Sequence, residues 1–216
     1  LVISSYSPIK EEGNRVISSF ITQLRTDARV KISVEYMDSE SSSSFEDWSE
    51  WMRQLFDAYK TRPKVVVLMG NEAWAVYRVT CPDDWHDTPV VLGCVKGSFI
   101  DYECLNALDL LTVREMQQME ESFGGFKVTG YAYKDYLSEN FRLIKRLQPQ
   151  VEHIAFCYDN RYNLSFFENY LKTLCEQTDS LGFCYLDGNK LSTTQLLDSI
   201  SRMDDTYALL TAGWYT

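Results

Sequence analysis

Short continuous apolar runs alternate along this chain with longer stretches in which apolar residues return every three or four positions. The first kind reads as a buried strand and the second as an amphipathic helix. The opening LVISSY is a strand with a polar tip, and Val16, Ile17, Phe20, Ile21 and Leu24 then recur at helical spacing. Residues 31–37 place Ile32, Val34 and Tyr36 in alternation and run into MDSESSSS, a polar loop. Ser43 and Glu46 form a capping box ahead of a helix carrying Phe45, Trp48, Trp51, Met52, Leu55, Phe56 and Tyr59, which Arg62-Pro63 stops. KVVVLM (64–69) is the clearest strand, because an unbroken β-branched run means burial on both faces, as in a parallel sheet. Gly70-Asn71-Glu72 turns it into a short helix over residues 73–78, and TPVVL (88–92) is the next strand, with residues 93–97 as its tip.

The second half repeats the alternation. Thr112 and Glu115 make another capping box, and Met116, Met119 and Phe123 suit a helix ended by Gly124-Gly125. Residues 126–160 then read as a strand end, a glycine turn, a helix and a new strand. Asp135 is the expected N-cap of that helix, Leu137, Phe141, Ile144 and Leu147 its apolar face, and Pro149 lies beyond its end. Ser165 with Glu168 and Ser192 with Gln195 cap two further helices, and residues 182–186 and 207–211 are strands. Strand and helix in strict turn predict doubly wound parallel sheets flanked by helices. The stretch 126–160 is the expected crossover between an N-terminal lobe, 1–127, and a second lobe, 128–216.

Bulk properties exclude more than they select. An apolar fraction of 45% and a charged fraction of 24% suit a globular protein. No apolar run approaches the roughly 18 residues of a membrane-spanning helix. No signal peptide is visible, but Leu1 already lies inside a strand-like run, so a chain trimmed at its start is expected. A net charge of −10, spread along the chain, argues against a nucleic-acid or anionic-membrane partner. The six cysteines show no C-x-x-C pair or zinc-ribbon spacing. Cys157, Cys175 and Cys184 fall on apolar faces as buried thiols, whereas Cys81 with Cys94 or Cys104 could pair in an oxidising compartment.

Chemistry is sparse. No glycine-rich phosphate loop, nucleophile elbow or H-E-x-x-H motif occurs, so no catalytic residue, cofactor or metal is expected. Asp83, Asp84, His86 and Asp87 lie close in sequence, but a solvated loop explains them better than a metal site, and His153 at a strand start reads as structural. What remains is the rule that open α/β sheets bind ligands beyond the carboxyl ends of their strands. The tips here are rich in hydroxyls, amides and aromatic rings, the groups a polar small-molecule site uses.

Three pieces carry a family resemblance: the opening strand with SSYSP, VVVLMGNEAW paired with TPVVLGCV, and VTGYAYKDYLSENFRLIKRLQPQVEHIAFCYDN. Together they resemble the type I periplasmic-binding-protein fold. Within it they are similar to ABC-transporter solute-binding proteins, and closer to extracytoplasmic sensor domains of Bacteroides-like hybrid two-component histidine kinases. The resemblance implies a non-enzymatic, two-lobed α/β domain, periplasmic in location. It would bind a sugar, amino acid or peptide in an interlobe cleft, signal by lobe closure and sit in a homodimeric receptor, with the membrane reached only through a flanking segment. Mapped by position, the expected ligand contacts are Ser5, Tyr6, Asn71, Glu72, Cys94, Val95, Asp159, Asn160, Tyr162 and Trp214. Val128, Thr129 and Gly130 are the expected first hinge. A second lobe of only three strands implies a piece of the domain or a shortened variant. A freestanding solute-binding protein is the alternative role, a lobe that binds only protein is a variant of the sensor role, and a flavodoxin-like cytosolic protein has the least support.

Overall fold

The computed structural model describes residues 1–9, 11–25, 30–39, 41, 45–99, 117–134, 136–158, 167–178, 181–188 and 190–213. The chain divides into two compact units, Leu1–Asp135 and Tyr136–Thr216.

Unit one contains β1 (Val2–Ser4), α1 (Glu11–Leu24), β2 (Val34–Tyr36), α2 (Phe45–Ala58), β3 (Val66–Met69) and α3 (Asn71–Thr80). It continues with β4 (Val90–Lys96), β5 (Ser98–Phe99), β6 (Gln117–Gln118) and β7 (Val128–Tyr133). Its main sheet is five-stranded in the order β2-β1-β3-β4-β7, and every pairing in it is parallel. That order is doubly wound, reversing direction beside β1, where β2 lies on one side and β3 on the other.

The unbroken apolar run of β3 is buried throughout, as its composition predicts. On one face Val2, Val67 and Met69 pack with Ile17 of α1, and Phe20 and Ile21 close over them. Elsewhere in the unit an aromatic assembly joins α2 to α3. Phe56 meets Tyr77 edge-on at 5.7 Å and Trp85 at 4.9 Å, while Trp74 stacks with Tyr77 at 6.5 Å. The Trp74 indole N–H is not stranded by burial, because it donates to Ser122 Oγ at 2.7 Å.

Two sequence expectations change here. Over its described part, residues 117–123, the helix expected through Met116, Met119 and Phe123 is instead the strand β6, paired antiparallel with β5, and a tight 3-10 turn at Met119–Phe123, while Met116 lies outside the described residues. Its apolar spacing serves a wedge instead: Met119 is buried and Phe123 meets Trp74 edge-on at 6.0 Å. Thr112 and Glu115, like the Ser43 and Ser165 caps, lie outside the described residues. The lobe boundary expected after residue 127 also moves. Val128, Thr129 and Gly130 lie within β7, paired to Val90, Val91 and Leu92 of β4, rather than in a turn. Gly130 misleads because a glycine inside a strand can mark close backbone approach. A Cβ there would fall 2.8 Å from Leu92 N, and φ is 151°.

Unit two holds α4 (Leu137–Leu147), β8 (His153–Tyr158), α5 (Phe167–Gln177), β9 (Gly182–Asp187), α6 (Thr193–Ser201) and β10 (Tyr207–Gly213). Its parallel sheet runs β10-β8-β9. Phe141 is the buried anchor of α4, whereas Leu147, expected on the same face, is 71% exposed. The helix ends before Pro149, where Lys145 Nζ donates to the carbonyls of Pro149 at 3.1 Å and Val151 at 2.6 Å. The Ser192–Gln195 capping box at α6 is formed in full. His153 stacks on Tyr207 at 4.8 Å. No described helix is long and apolar enough to cross a membrane.

Two measurements test this packing. Gly130→Ala should lower unit-one stability in urea by about 2 kcal/mol or more, since the added methyl meets Leu92 main chain. An unchanged midpoint would remove the close approach. In unit two, burial, with a smaller push from Glu176, raises the Cys175 thiol from 9.0 to about 11. The folded state therefore holds that proton more tightly than the unfolded chain, so the stabilisation is complete below pH 9.0 and is lost as pH climbs towards 11. Cys175→Ala should flatten the fall of the unfolding midpoint across that window, and an unaltered slope would contradict the assignment.

Candidate functional site

At the carboxyl edge of the first sheet, β1 runs into Ser5 and Tyr6, and β3 into Gly70 and α3. Ser5 N donates to Met69 O at 2.8 Å, and Gly70 N donates to Gly93 O at 2.9 Å, so the three tips are tied by main chain. Gly70 precedes α3 and has no side chain to cap it. Ser5 supplies the cap from a neighbouring strand: its buried hydroxyl accepts Ala73 N at 2.9 Å. A Cβ on Gly70 would lie 2.6 Å from that Oγ, and its φ of 101° is one that L side chains rarely adopt.

The structure sorts the expected contacts. Ser5 is buried and engaged with Ala73, so it positions the edge rather than facing outward. Tyr6 is half-buried and its hydroxyl donates to Cys94 O over a long 3.4 Å. Asn71 and Glu72, expected in a turn, form the first turn of α3, which begins two residues earlier than its apolar pattern suggests. Asn71 is buried and its Oδ1 accepts Lys96 N at 2.8 Å. Glu72 is half-buried, with Oε2 3.3 Å from the place a Gly70 Cβ would take, so its carboxylate folds back over the start of the helix. A negative charge is favourable at that helix end. Cys94 is half-buried in a left-handed conformation, φ 54°, but the Val95 side chain is fully buried and leaves only main chain for a ligand. Tyr6, Asn71, Glu72 and Cys94 are therefore brought together. Asp159, Asn160, Tyr162 and Trp214 lie outside the described residues.

Tyr133 was not among the expected contacts. Burial pushes the Cys94 thiol up, and the neighbouring Tyr133 hydroxyl opposes that shift. Tyr133 and Tyr131 meet edge to face at 5.6 Å, and they are 52% and 71% exposed. Such rings give a ligand apolar faces with polar handles. The signal in the sequence was the alternation YAY, hidden by reading VTG as a turn. Ser39 joins the same edge: its amide and hydroxyl both donate to Ser5 O, at 2.8 and 2.9 Å.

Hydrogen bonding and ring contact are what these groups offer. A thiol raised above its ordinary value stays protonated at neutral pH and is a poor nucleophile. His86 lies before β4, at the opposite edge, and its ring meets Phe126 in a tilted contact at 4.2 Å. Among the described residues no cluster of His, Cys, Asp and Glu has metal-binding geometry. The Asp83–Trp85 turn is held by its buried tryptophan, and Asp87 pairs with Lys127 at 2.9 Å. The suggested Cys81–Cys94 disulfide is not formed. Cys81 follows the C-terminus of α3, at the sheet's amino edge, while Cys94 lies at its carboxyl edge, and Cys104 is outside the described residues.

No protein-family model matches the chain, and no curated protein matches it. Among solved structures it is similar to an ABC domain in complex with L-Trp from Streptococcus pneumonia, at a TM-score of 0.57 and 17% identity, covering 97% of this chain and 63% of that one. A conserved domain protein from Vibrio cholerae aligns at a TM-score of 0.55 and 14% identity, over 86% of this chain and 55% of that one. A ligand-free, open substrate-binding protein with adhesive properties from Clostridium difficile aligns at 0.44 with 11% identity, over 96% and 63%, too loosely to extend the comparison. The first two likenesses show the fold alone, an α/β architecture of parallel sheets flanked by helices. The chain spans less than two thirds of the length of each.

Removing the borrowed cap should be felt at α3 first. Ser5→Ala is expected to cost about 1 kcal/mol and to speed amide exchange at Ala73 more than at Val67. Uniform change across unit one would argue against a local capping role.

Proposed function

We propose that the chain is a ligand-binding domain of the solute-binding kind, taking a small polar or amphipathic molecule at the carboxyl edge of its first sheet. One observation carries this reading: Tyr6, Asn71, Glu72, Cys94 and Tyr133 converge there, beside the point where the strand order reverses. Doubly wound sheets bind ligands at that place. Asp159, Asn160, Tyr162 and Trp214 stay proposed contacts by their position in the sequence alone. Val128, Thr129 and Gly130 are held in β7, so the proposed flexing between the units lies C-terminal to them.

In the context we favour, the domain is the extracytoplasmic, homodimeric sensor of a two-component histidine kinase. Ligand would shift a pre-existing equilibrium between open and closed conformations. A preference of about 5.5 kcal/mol for one state carries such an equilibrium from almost empty to almost full. The second context is a freestanding solute-binding protein of an ABC transporter, which the likeness to a domain holding L-Trp favours. A membrane helix and kinase encoded downstream would support the sensor, and a secretion signal with nothing further after the domain would support the transporter.

Thermal unfolding with L-tryptophan, D-glucose and trialanine as probes tests the reading. At about a hundredfold excess over Kd a bound probe stabilises by about 2.7 kcal/mol. At least one probe should raise the midpoint of the native protein, and Tyr6→Ala should abolish the shift. No shift with any of the three, or a shift indifferent to Tyr6, would overturn it.

A further inference from the structure

The parallel ladder between β4 and β7 breaks at one place. Leu92 pairs with Gly130 and Val95 with Ala132, so Gly93 and Cys94 together stand opposite Tyr131. Two residues against one is a bulge, and bulges in parallel pairs are rare. Cys94 enters it at a φ of 54°, which a non-glycine residue holds only when its surroundings fix it there.

Gly70 N holds the bulge from the α3 side through Gly93 O at 2.9 Å. The Asn71 carboxamide, on the first residue of α3, accepts Lys96 N at 2.8 Å, two residues past the bulge. Tyr6 reaches Cys94 O, and Gly97 N donates to Tyr133 O at 2.7 Å. Within this set Asn71 is the buried side chain that acts across elements on the strand leaving the bulge, and a carboxamide oxygen can be replaced by a carboxylate but not by an alkyl group.

We propose that Asn71 is the positioning residue of the binding edge: its carboxamide fixes the β4 bulge, and the bulge sets where Cys94 and the main chain of residues 94–96 are presented to ligand. This rests on the reading that the carboxyl edge binds ligand. Asn71 acts through the strand, so its removal alters presentation while the sheet beneath stays formed.

Asn71→Leu and Asn71→Asp are to be compared with the native protein by site-resolved amide exchange and by titration with L-tryptophan, D-glucose and trialanine. In Asn71→Leu, the Lys96 amide should exchange about tenfold faster or more, while Val67 and Leu68 keep native protection. Asn71→Asp should keep Lys96 protected. A probe bound by the native protein should lose about tenfold in affinity with leucine and be largely restored with aspartate. Native Lys96 protection in the leucine variant, or an aspartate variant no better than leucine, would overturn the proposal. Should leucine disrupt α3, Asn71→Ala carries the same comparison. If no probe binds the native protein the binding reading fails, and the exchange comparison still decides whether Asn71 holds the bulge.

Discussion

Ser5 and Gly70 meet at a contact closer than any side chain on Gly70 would permit, and the carboxyl edge of the first sheet is built outward from it. Because residue 70 is glycine, the Ser5 hydroxyl can reach the amide of Ala73 and cap a helix that begins with no cap of its own. With α3 anchored there, Asn71 is held where it can bind the last residue of β4, and Glu72 is folded over the helix start. The site is therefore a consequence of backbone geometry at a strand-to-helix join. Its polar groups point where they do because hydrogen bonds between neighbouring tips leave them little choice.

Much of this is legible in the amino-acid sequence. Unbroken apolar runs such as KVVVLM announce strands buried on both faces, and regular alternation with amphipathic helices announces parallel sheets. The capping box at Ser192 was written in the sequence because both of its partners are local. Tyr6, Asn71, Glu72 and Cys94 were assigned to one edge by a positional rule, that strand tips share an edge, and not by any motif, and at one edge they lie.

What escaped was non-local. That Ser5 spends its hydroxyl on Ala73 depends on residues far apart in sequence meeting, which periodicity does not encode. Gly130 has two textual readings, turn or close approach, and only its neighbour Leu92 separates them. That single ambiguity displaced the boundary of unit one and concealed Tyr133. Met119 and Phe123 share helical spacing but sit in a 3-10 turn, Met119 buried and Phe123 against Trp74, because burial chose the partner and spacing did not.

The central claim is that ligand recognition sits at the carboxyl edge of the first sheet. Chemical-shift mapping of the isotopically labelled chain, titrated with L-tryptophan, D-glucose and trialanine, tests it most directly. The account predicts that the amides of Tyr6, Asn71, Glu72, Cys94 and Lys96 move together for at least one compound, while His86 and Trp85 at the amino edge stay still. Shifts centred on the amino edge or the helix faces, with those five amides unmoved, would contradict it.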